Sequence, residues 1–331
     1  MLTADESGPL PREHFRNRGR VREGASSTPA SCAAVNCTRA TFVSSLRDVA
    51  REDDRRGGYR RERYDGWVLR VDAARWCAAW WAHLLPHFAA PDGIVARSRH
   101  ARTVRISLAD DTTTTAAYLK LYHDAGWTTV VKDLWRRSKA RQAWRISVRL
   151  AADGFDVPHV LAVGERWGAG RHRAFLLTAA VEWPDLAQWA IALAAAGAPD
   201  GRRRRRAVLV ALGDTVGRFH ARGYVHGDLV VNNMLVSEGP PVRLCFIDHD
   251  RSRRAGRLRR WHQQRRNLVQ LNRVVLPAVH DSDRLRAFVS YARARGWSRD
   301  RWRAEARWLA RRTLERRREL GRAARWVDDG V

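Results

Sequence analysis

The sequence GYVHGDLVVNNMLV at residues 223–236, followed by LCFIDHDR at residues 244–251, decides which fold this chain can form. Both stretches place polar residues directly beside short apolar runs that have the length of buried strands. Asp228 stands five residues before Asn233, and Asp248 ends the second apolar run. The pattern therefore supplies a carboxylate and an amide oxygen from one loop, and a second carboxylate from the end of a buried strand.

These groups are the ones that phosphoryl transfer requires. The reaction needs a carboxylate to accept the proton of the attacking hydroxyl, and oxygen ligands for magnesium beside the phosphates. Asp228 supplies the first, while Asn233 and Asp248 carry the oxygen donors that Mg²⁺ prefers. A lone His is more often a core residue than a catalytic one, and we interpret His226 as a brace for the loop. The joint occurrence of these residues in this order, with Lys120 upstream, argues against a chance match.

The two stretches resemble the lipopolysaccharide kinases, the Kdo and heptose kinase family with a protein-kinase-like fold. The spacing of His226, Asp228 and Asn233 matches the kinase catalytic loop, and Asp248 stands where the metal-binding Asp of kinases follows. The ending Asp-His-Asp-Arg favours this family, because aminoglycoside and choline phosphotransferases share the earlier elements but typically lack it. The resemblance covers roughly residues 64–273.

The resemblance implies an α+β, two-lobed protein-kinase-like fold. The kinase-like domain is expected at residues 62–326, with a β-rich N-terminal lobe at 62–182 and a helical C-terminal lobe at 183–326. Residues 1–61 are rich in Ser, Arg, Gly and Asp with few large apolar residues, which predicts a disordered N-terminal extension.

Lys120, at the end of the expected hairpin, resembles the strand lysine that grips the ATP phosphates in kinases. Two departures from the family pattern accompany it. Ala143 stands where the following helix usually carries the Glu that pairs with this lysine, so Lys120 needs phosphate alone or another acid as its partner. Residues 97–117 contain no glycine, so no Gly-rich loop covers the phosphates.

Periodicity and turn residues predict the remaining elements. A helix is predicted at residues 72–87, with Trp76, Trp80 and Leu84 on one face, and we expect that face to pack on its own domain and not on a membrane surface. The other expected elements are a hairpin at 101–122, helices at 138–151, 186–195 and 208–219, strands at 157–163, 174–178 and 242–247, and a helical tail at 261–326.

The charge of the chain points to an anionic partner. The sequence has 62 Lys and Arg against 35 Asp and Glu, a net charge of +27, although biased codon composition would also raise the Arg content. No Cys pair has zinc-ligand spacing, and no secretory or membrane-spanning segment is visible, which fits a cytoplasmic protein.

The sequence thus predicts an ATP-dependent kinase that uses Mg²⁺, with Asp228 catalytic, Lys120, Asn233 and Asp248 binding the nucleotide, and Asn233 and Asp248 holding the metal. The resemblance implies an anionic glycolipid acceptor, a Kdo or heptose of the lipopolysaccharide inner core, and peripheral contact with the anionic inner face of the inner membrane. The alternatives are an aminoglycoside- or choline-type phosphotransferase, a weak pseudokinase, and a nucleic-acid-binding protein, the last being the least favoured because the tail Trp residues fit buried helix faces.

Overall fold

The computed structural model describes residues 58–89, 92–98, 101–109, 114–122, 138–168, 171–196 and 200–328. The greater part of the expected N-terminal extension, residues 1–57, lies outside them. The first strand begins at Tyr59, three residues before the expected boundary at residue 62.

A seven-stranded antiparallel sheet forms the first part of the fold. Its strands lie in the order β1-β2-β6-β7-β5-β4-β3. They are β1 (Tyr59–Tyr64), β2 (Trp67–Asp72), β3 (Ile94–Arg97), β4 (Ala101–Ala109), β5 (Thr114–Tyr122), β6 (Val160–Gly168) and β7 (Arg171–Ala179). The predicted hairpin is confirmed as β4 and β5, which pair from Ala101 opposite Tyr122 to Ala109 opposite Thr114.

One face of this sheet is covered by tryptophans. Alternation in β4 turns Val104, Ile106 and Leu108 to the same side, where they are buried in a cluster with Trp80 and Leu84. These two belong to helix α1 (Trp80–Ala89), so the prediction that this helical face packs on its own domain is confirmed.

The predicted start of that helix, at residue 72, is wrong. Asp72 ends β2, and its carboxylate accepts hydrogen bonds from the backbone N–H groups of Ala74 and Arg75, both at 2.9 Å. An Asp that bonds to the backbone two and three residues ahead stabilises a turn, which delays the helix to Trp80.

The opposite face of the sheet carries helix α2 (Lys139–Ala152), close to the predicted 138–151. Ser138 caps it, with its hydroxyl accepting a hydrogen bond from the Arg141 N–H at 3.1 Å. Ala143 and Trp144 pack against Leu176, whereas the neighbouring Leu177 belongs to the tryptophan cluster, so the two clusters lie on opposite faces.

Helices dominate the rest of the chain around a separate apolar core. They are α3 (Leu186–Ala196), α4 (Gly201–Ala221), α5 (Arg257–Asn272), α6 (Asp281–Ala294) and α7 (Arg299–Asp328). The expected strands at 157–163 and 174–178 appear as β6 and β7 with shifted ends, and the strand expected at 242–247 appears at Arg243–Phe246. The expected single helical tail is three helices, because Pro277 and Gly296 interrupt it.

Helices α4 and α6 approach each other closely at a glycine. A Cβ atom on Gly213 would lie 1.9 Å from the carbonyl oxygen of Ala287, so no larger residue fits there without movement. This contact fixes α4, whose last residues lead directly into the loop that carries Asp228.

Arginines at the start of α4 and tryptophans of the C-terminal tail have partners within the fold. In the Arg run that opens α4, Arg204 pairs with Glu238 at 2.6 Å and Arg205 with Asp283 at 2.8 Å. In the tail, Trp297, Trp302 and Trp308 pack against the helical core. Their aromatic faces are thus used in part by the protein itself.

Candidate active site

Short antiparallel ladders position the loops of the site. β8 (Tyr224–Val225) pairs with β11 (Arg253–Arg254), and β9 (Met234–Ser237) pairs with β10 (Arg243–Phe246). Asp228 and Asn233 lie between β8 and β9, while Asp248 lies between β10 and β11. The two ladders therefore hold the two predicted motifs side by side.

A cleft of about 610 Å³ brings Lys120, Asn233 and Asp248 together. Lys120 reaches it from β5, a central strand of the sheet. Asp228 does not line this cleft, but the Asn233 Nδ2 group donates a hydrogen bond to its backbone carbonyl at 3.0 Å. The structure thus places all four predicted residues in one region, with Asp228 adjoining the cleft.

The loop around Asp228 requires a glycine. Gly227 has a φ of +81°, and a Cβ atom there would lie 2.6 Å from the carbonyl oxygen of Arg251. Both the left-handed backbone and the close approach exclude other residues at this position without strain. The backbone of the Asp228 loop is thereby pressed against the segment that follows Asp248.

His226 connects the two motifs, in agreement with its interpretation as a brace. It is fully buried, and its Nε2–H donates to the carbonyl of Ile247 at 2.9 Å. A second hydrogen bond joins the same two segments, since the Ser252 hydroxyl donates to the backbone carbonyl of His226 at 3.0 Å. Burial lowers the pKa of His226, which keeps the ring neutral, as a donor and not a charged group.

Helix α5 supplies two further residues that the sequence analysis missed. Asn267 accepts the backbone N–H of His226 at 3.0 Å, and its own amide donates to Gln270 at 2.9 Å. Gln270 in turn reaches the Asp228 carboxylate, with 3.4 Å between Nε2 and Oδ1. Their spacing of three residues on one helix face was visible in the sequence, but nothing there indicated which loop that face contacts.

Asp248 has an unusual backbone. Its φ of 60° and ψ of 67° lie in the left-handed region, which costs a residue other than glycine roughly 1–3 kcal/mol and is often found at functional sites. Its carboxylate pairs with Lys120, with 2.8 Å between Oδ1 and Nζ. Burial alone would raise the pKa of this carboxyl, but the Lys120 ammonium outweighs it and holds the pKa below its usual value.

Lys120 has a second carboxylate partner, Asp250, at 2.7 Å. The sequence left two partners open for Lys120 in place of the missing helix Glu, phosphate alone or another acid. The structure shows another acid. Ala143, in the position of that Glu, is fully buried against the sheet. Burial lowers the pKa of Lys120, yet Asp250 and Asp248 together raise it above its usual value, so the ammonium stays charged.

The rest of the cleft is largely apolar. Its lining includes Ala96, Leu176, Val181, Leu235 and Ile247. A partly apolar lining together with a lysine and carboxylates suits a ligand with an aromatic base and a charged tail. The segment 178–182, at the boundary between the two expected lobes, contributes Thr178, Ala179 and Val181 to this lining.

Comparisons with known proteins show which family the chain belongs to. The model of the lipopolysaccharide kinase (Kdo/WaaP) family matches residues 87–305, which is 219 of the 331 residues. The chain belongs to the lipopolysaccharide kinase (Kdo/WaaP) family. Members of this family are kinases, so the chain is a phosphotransferase with an alcohol group as acceptor, a lipopolysaccharide core kinase that uses ATP.

A solved structure adds evidence on the fold. The chain resembles WaaP in complex with acyl carrier protein, with 23% sequence identity and a TM-score of 0.52 over 71% of this chain and 94% of that one. This likeness supports a kinase-like mixed α/β fold. A comparison with curated proteins finds no match.

None of the helices in the described part of the chain has the length and the apolar character that crossing a membrane requires.

Proposed function

We propose that this kinase transfers the γ-phosphoryl group of ATP to a hydroxyl of Kdo or heptose in the lipopolysaccharide inner core. The observation that carries the proposal is the meeting of Lys120 with Asp248 in a cleft that adjoins the Asp228 loop. Family membership supports the class of acceptor, and the choice between the two sugars is left to experiment.

In this mechanism Asp228 accepts the proton of the acceptor hydroxyl as the hydroxyl attacks the γ-phosphorus. Gln270 contacts one carboxylate oxygen and so orients the group. Lys120 binds the nucleotide phosphates and offsets their charge as it spreads in the transition state. Positioning and charge stabilisation, which this cleft provides, supply most of the catalysis in such reactions.

The residues present fit a magnesium ion. Asp248 offers a carboxylate, and Asn233 uses its amide nitrogen on the Asp228 carbonyl, so its amide oxygen is the atom left for a metal. Hard oxygen donors of this kind suit Mg²⁺. When bound, the ion neutralises phosphate charge and aligns the γ-phosphate for transfer.

A basic segment beside the site supports an anionic acceptor. We define the basic segment as residues 253–260, RRAGRLRR, which begins at β11 next to the Asp228 loop. No Asp or Glu occurs from residue 251 to residue 280. Arg253, Arg254, Arg257 and Arg259 are exposed, and Leu258 between them is fully exposed.

Phosphates and carboxylates of a glycolipid would be attracted to this segment, and so would the anionic leaflet in which the glycolipid lies. Each suitably placed Arg contributes about 1 kcal/mol near such a leaflet. We therefore propose peripheral contact with the membrane. Cationic aminoglycosides would be repelled from the same surface.

The proposed arrangement of the chain is two-lobed, with a sheet lobe at residues 62–182 and a helical lobe at 183–326. Two sets of buried residues on the two faces of the sheet support it, together with a third set among the later helices that also includes Ile146 and Leu150 of α2. The start of the first lobe is better placed at Tyr59, where β1 begins.

ATP consumption with Mg²⁺ tests the function, measured with a Kdo–lipid A acceptor, with a heptose-containing acceptor, and with neither. We expect acceptor-dependent turnover that Asp228→Asn reduces at least a hundredfold, as loss of a general base typically does. Asp300→Asn, an exposed Asp on α7, is the matched control and should retain full activity.

Turnover with an aminoglycoside or choline in place of both glycolipids would replace the proposed acceptor. Failure of the folded wild-type protein to bind ATP would refute the kinase mechanism itself and favour the pseudokinase alternative.

A further inference from the structure

Lys120 is shared by two carboxylates that differ in how they are held. Asp248 Oδ1 lies 2.8 Å from Nζ and Asp250 Oδ2 lies 2.7 Å from it. Asp250 is less exposed, at 19% of its side chain against 43% for Asp248. Asp250 also accepts a second hydrogen bond, from the Tyr122 hydroxyl to Oδ1 at 2.5 Å.

Tyr122 is placed to fix Asp250 by the geometry of β5. Residues two apart on a strand project from the same face, so Tyr122 and Lys120 both reach the Asp250 turn. The Lys120 ammonium also lies 5.6 Å from the centre of the Tyr122 ring. Lysine, tyrosine and aspartate thus form a cluster of three side chains, which Asp248 contacts through its ion pair with Lys120.

Helix α2 cannot provide the lysine with a carboxylate. Its sequence, KARQAWRISVRLAA, contains no Asp or Glu. The helix instead contacts the turn that carries Asp250 through the side chain of Gln142, whose amide donates a hydrogen bond to the backbone carbonyl of Ser252 at 3.2 Å. Within the described residues, the carboxylates paired with Lys120 both come from the turn after β10.

We propose that Asp250, held by Tyr122, is the permanent positioning residue for Lys120, and that Asp248 leaves the lysine when nucleotide and metal bind. This inference rests on the proposed function and adds to it that the two aspartates have different roles. Asp250 keeps the ammonium aimed at the phosphates, which frees the more exposed Asp248 to bind the metal. Tyr122 is a second positioning residue, because it acts through Asp250.

Without the Asp250 charge, Lys120 has Asp248 as its remaining carboxylate, and the metal must compete with the ammonium for it. Asp250→Asn should therefore raise the Mg²⁺ concentration needed for nucleotide binding by roughly tenfold or more, the scale of one lost hydrogen bond to a charged group. Tyr122→Phe removes one hydrogen bond and no charge, and should shift the same quantity in the same direction by about threefold.

The test is equilibrium binding of a fluorescent ATP analogue, titrated with Mg²⁺ in the absence of acceptor, for wild type, Asp250→Asn, Tyr122→Phe and Asp248→Asn. Glu305→Gln is the matched control: Glu305 forms a similarly buried ion pair with Arg265 at 2.7 Å and lines no part of the cleft. It should leave the Mg²⁺ dependence unchanged. Thermal unfolding shows whether each variant is folded. If Asp250→Asn is unfolded, the comparison of Tyr122→Phe with wild type is the test.

Three results would overturn the proposal. An unchanged Mg²⁺ dependence in Asp250→Asn or, if that variant is unfolded, in Tyr122→Phe would show that Lys120 needs no such partner. Loss of all Mg²⁺-dependent binding, equal to that of Asp248→Asn, would make Asp250 a metal ligand instead. Wild-type protein that binds no nucleotide would remove the proposed function together with this inference, whereas the first two results leave the proposed function intact.

Discussion

Mild acid should destabilise this protein through His220, a fully buried residue of α4. Burial lowers the pKa of His220 from 6.5 to about 3. Its Nδ1 lies 3.0 Å from the Tyr291 hydroxyl and its Nε2 lies 3.4 Å from Asn267 Oδ1. Since the Asn oxygen only accepts, Nε2 carries the proton and the Tyr291 hydroxyl donates to Nδ1. A second proton, on Nδ1, would require this hydroxyl to turn from donor to acceptor. Arg295 and His226 nearby oppose the added charge.

The size of the effect follows from proton linkage. Below about pH 6.5 the unfolded chain binds a proton at this residue, whereas the folded chain does so only near pH 3. The stability that neutral His220 retains above pH 6.5 is therefore lost as the pH falls toward 3. A pH of about 5 lies roughly 1.5 units below the pKa of the unfolded chain, which corresponds to a loss of roughly 2 kcal/mol.

Urea unfolding at about pH 7 and about pH 5 measures this loss. We expect the free energy of unfolding of wild type to fall by about 2 kcal/mol more than that of His220→Gln, which cannot titrate there. His262→Gln, at an exposed position on α5, should behave like wild type. An equal fall in wild type and His220→Gln would refute the reasoning.

Three other variants test the packing, the site and the surface. Gly213→Ala should destabilise the fold by about 1–3 kcal/mol in thermal unfolding, because its Cβ would meet the Ala287 carbonyl. Gly239→Ala should not, because its Cβ would lie 3.9 Å from the nearest atom, Ser237 Oγ. Gln270→Ala should lower kcat about tenfold with little change in the KM for ATP, because it frees the Asp228 carboxylate; an unchanged kcat would remove Gln270 from the site. Replacing the four exposed arginines of the basic segment by Gln should weaken binding to anionic vesicles about a thousandfold, and the same change in four exposed arginines of α7 should have less effect. The arginines for that control are Arg303, Arg307, Arg311 and Arg318.

The sequence was sufficient for the family and for the approximate order of the elements. The spacing of Asp228, Asn233 and Asp248 was enough to predict that they belong to one candidate site, because kinases place these residues on two loops that follow adjacent short strands. Alternation in β4 and β5 predicted the hairpin, and periodicity predicted α2, since both are local signals.

Contacts between distant segments could not be predicted in the same way. The sequence showed that the helix Glu is missing at Ala143, but it did not show that Asp250 replaces it, because that pairing joins residues 130 positions apart. The role of Asn267 and Gln270 depends on how α5 lies against the Asp228 loop. The start of α1 was missed because Asp72 bonds to the backbone of a turn, a local competitor of the helix that periodicity does not reveal.

The first strand has a consequence for solubility. β1 lies at the edge of the sheet, and its exposed Arg60, Arg61 and Arg63 discourage pairing with a second molecule. The strand that it covers, β2, is WVLRVD and is almost wholly buried. A shortened chain that begins at residue 66 would present this apolar strand as a new edge. Such a chain should aggregate even though every residue proposed for catalysis is still present.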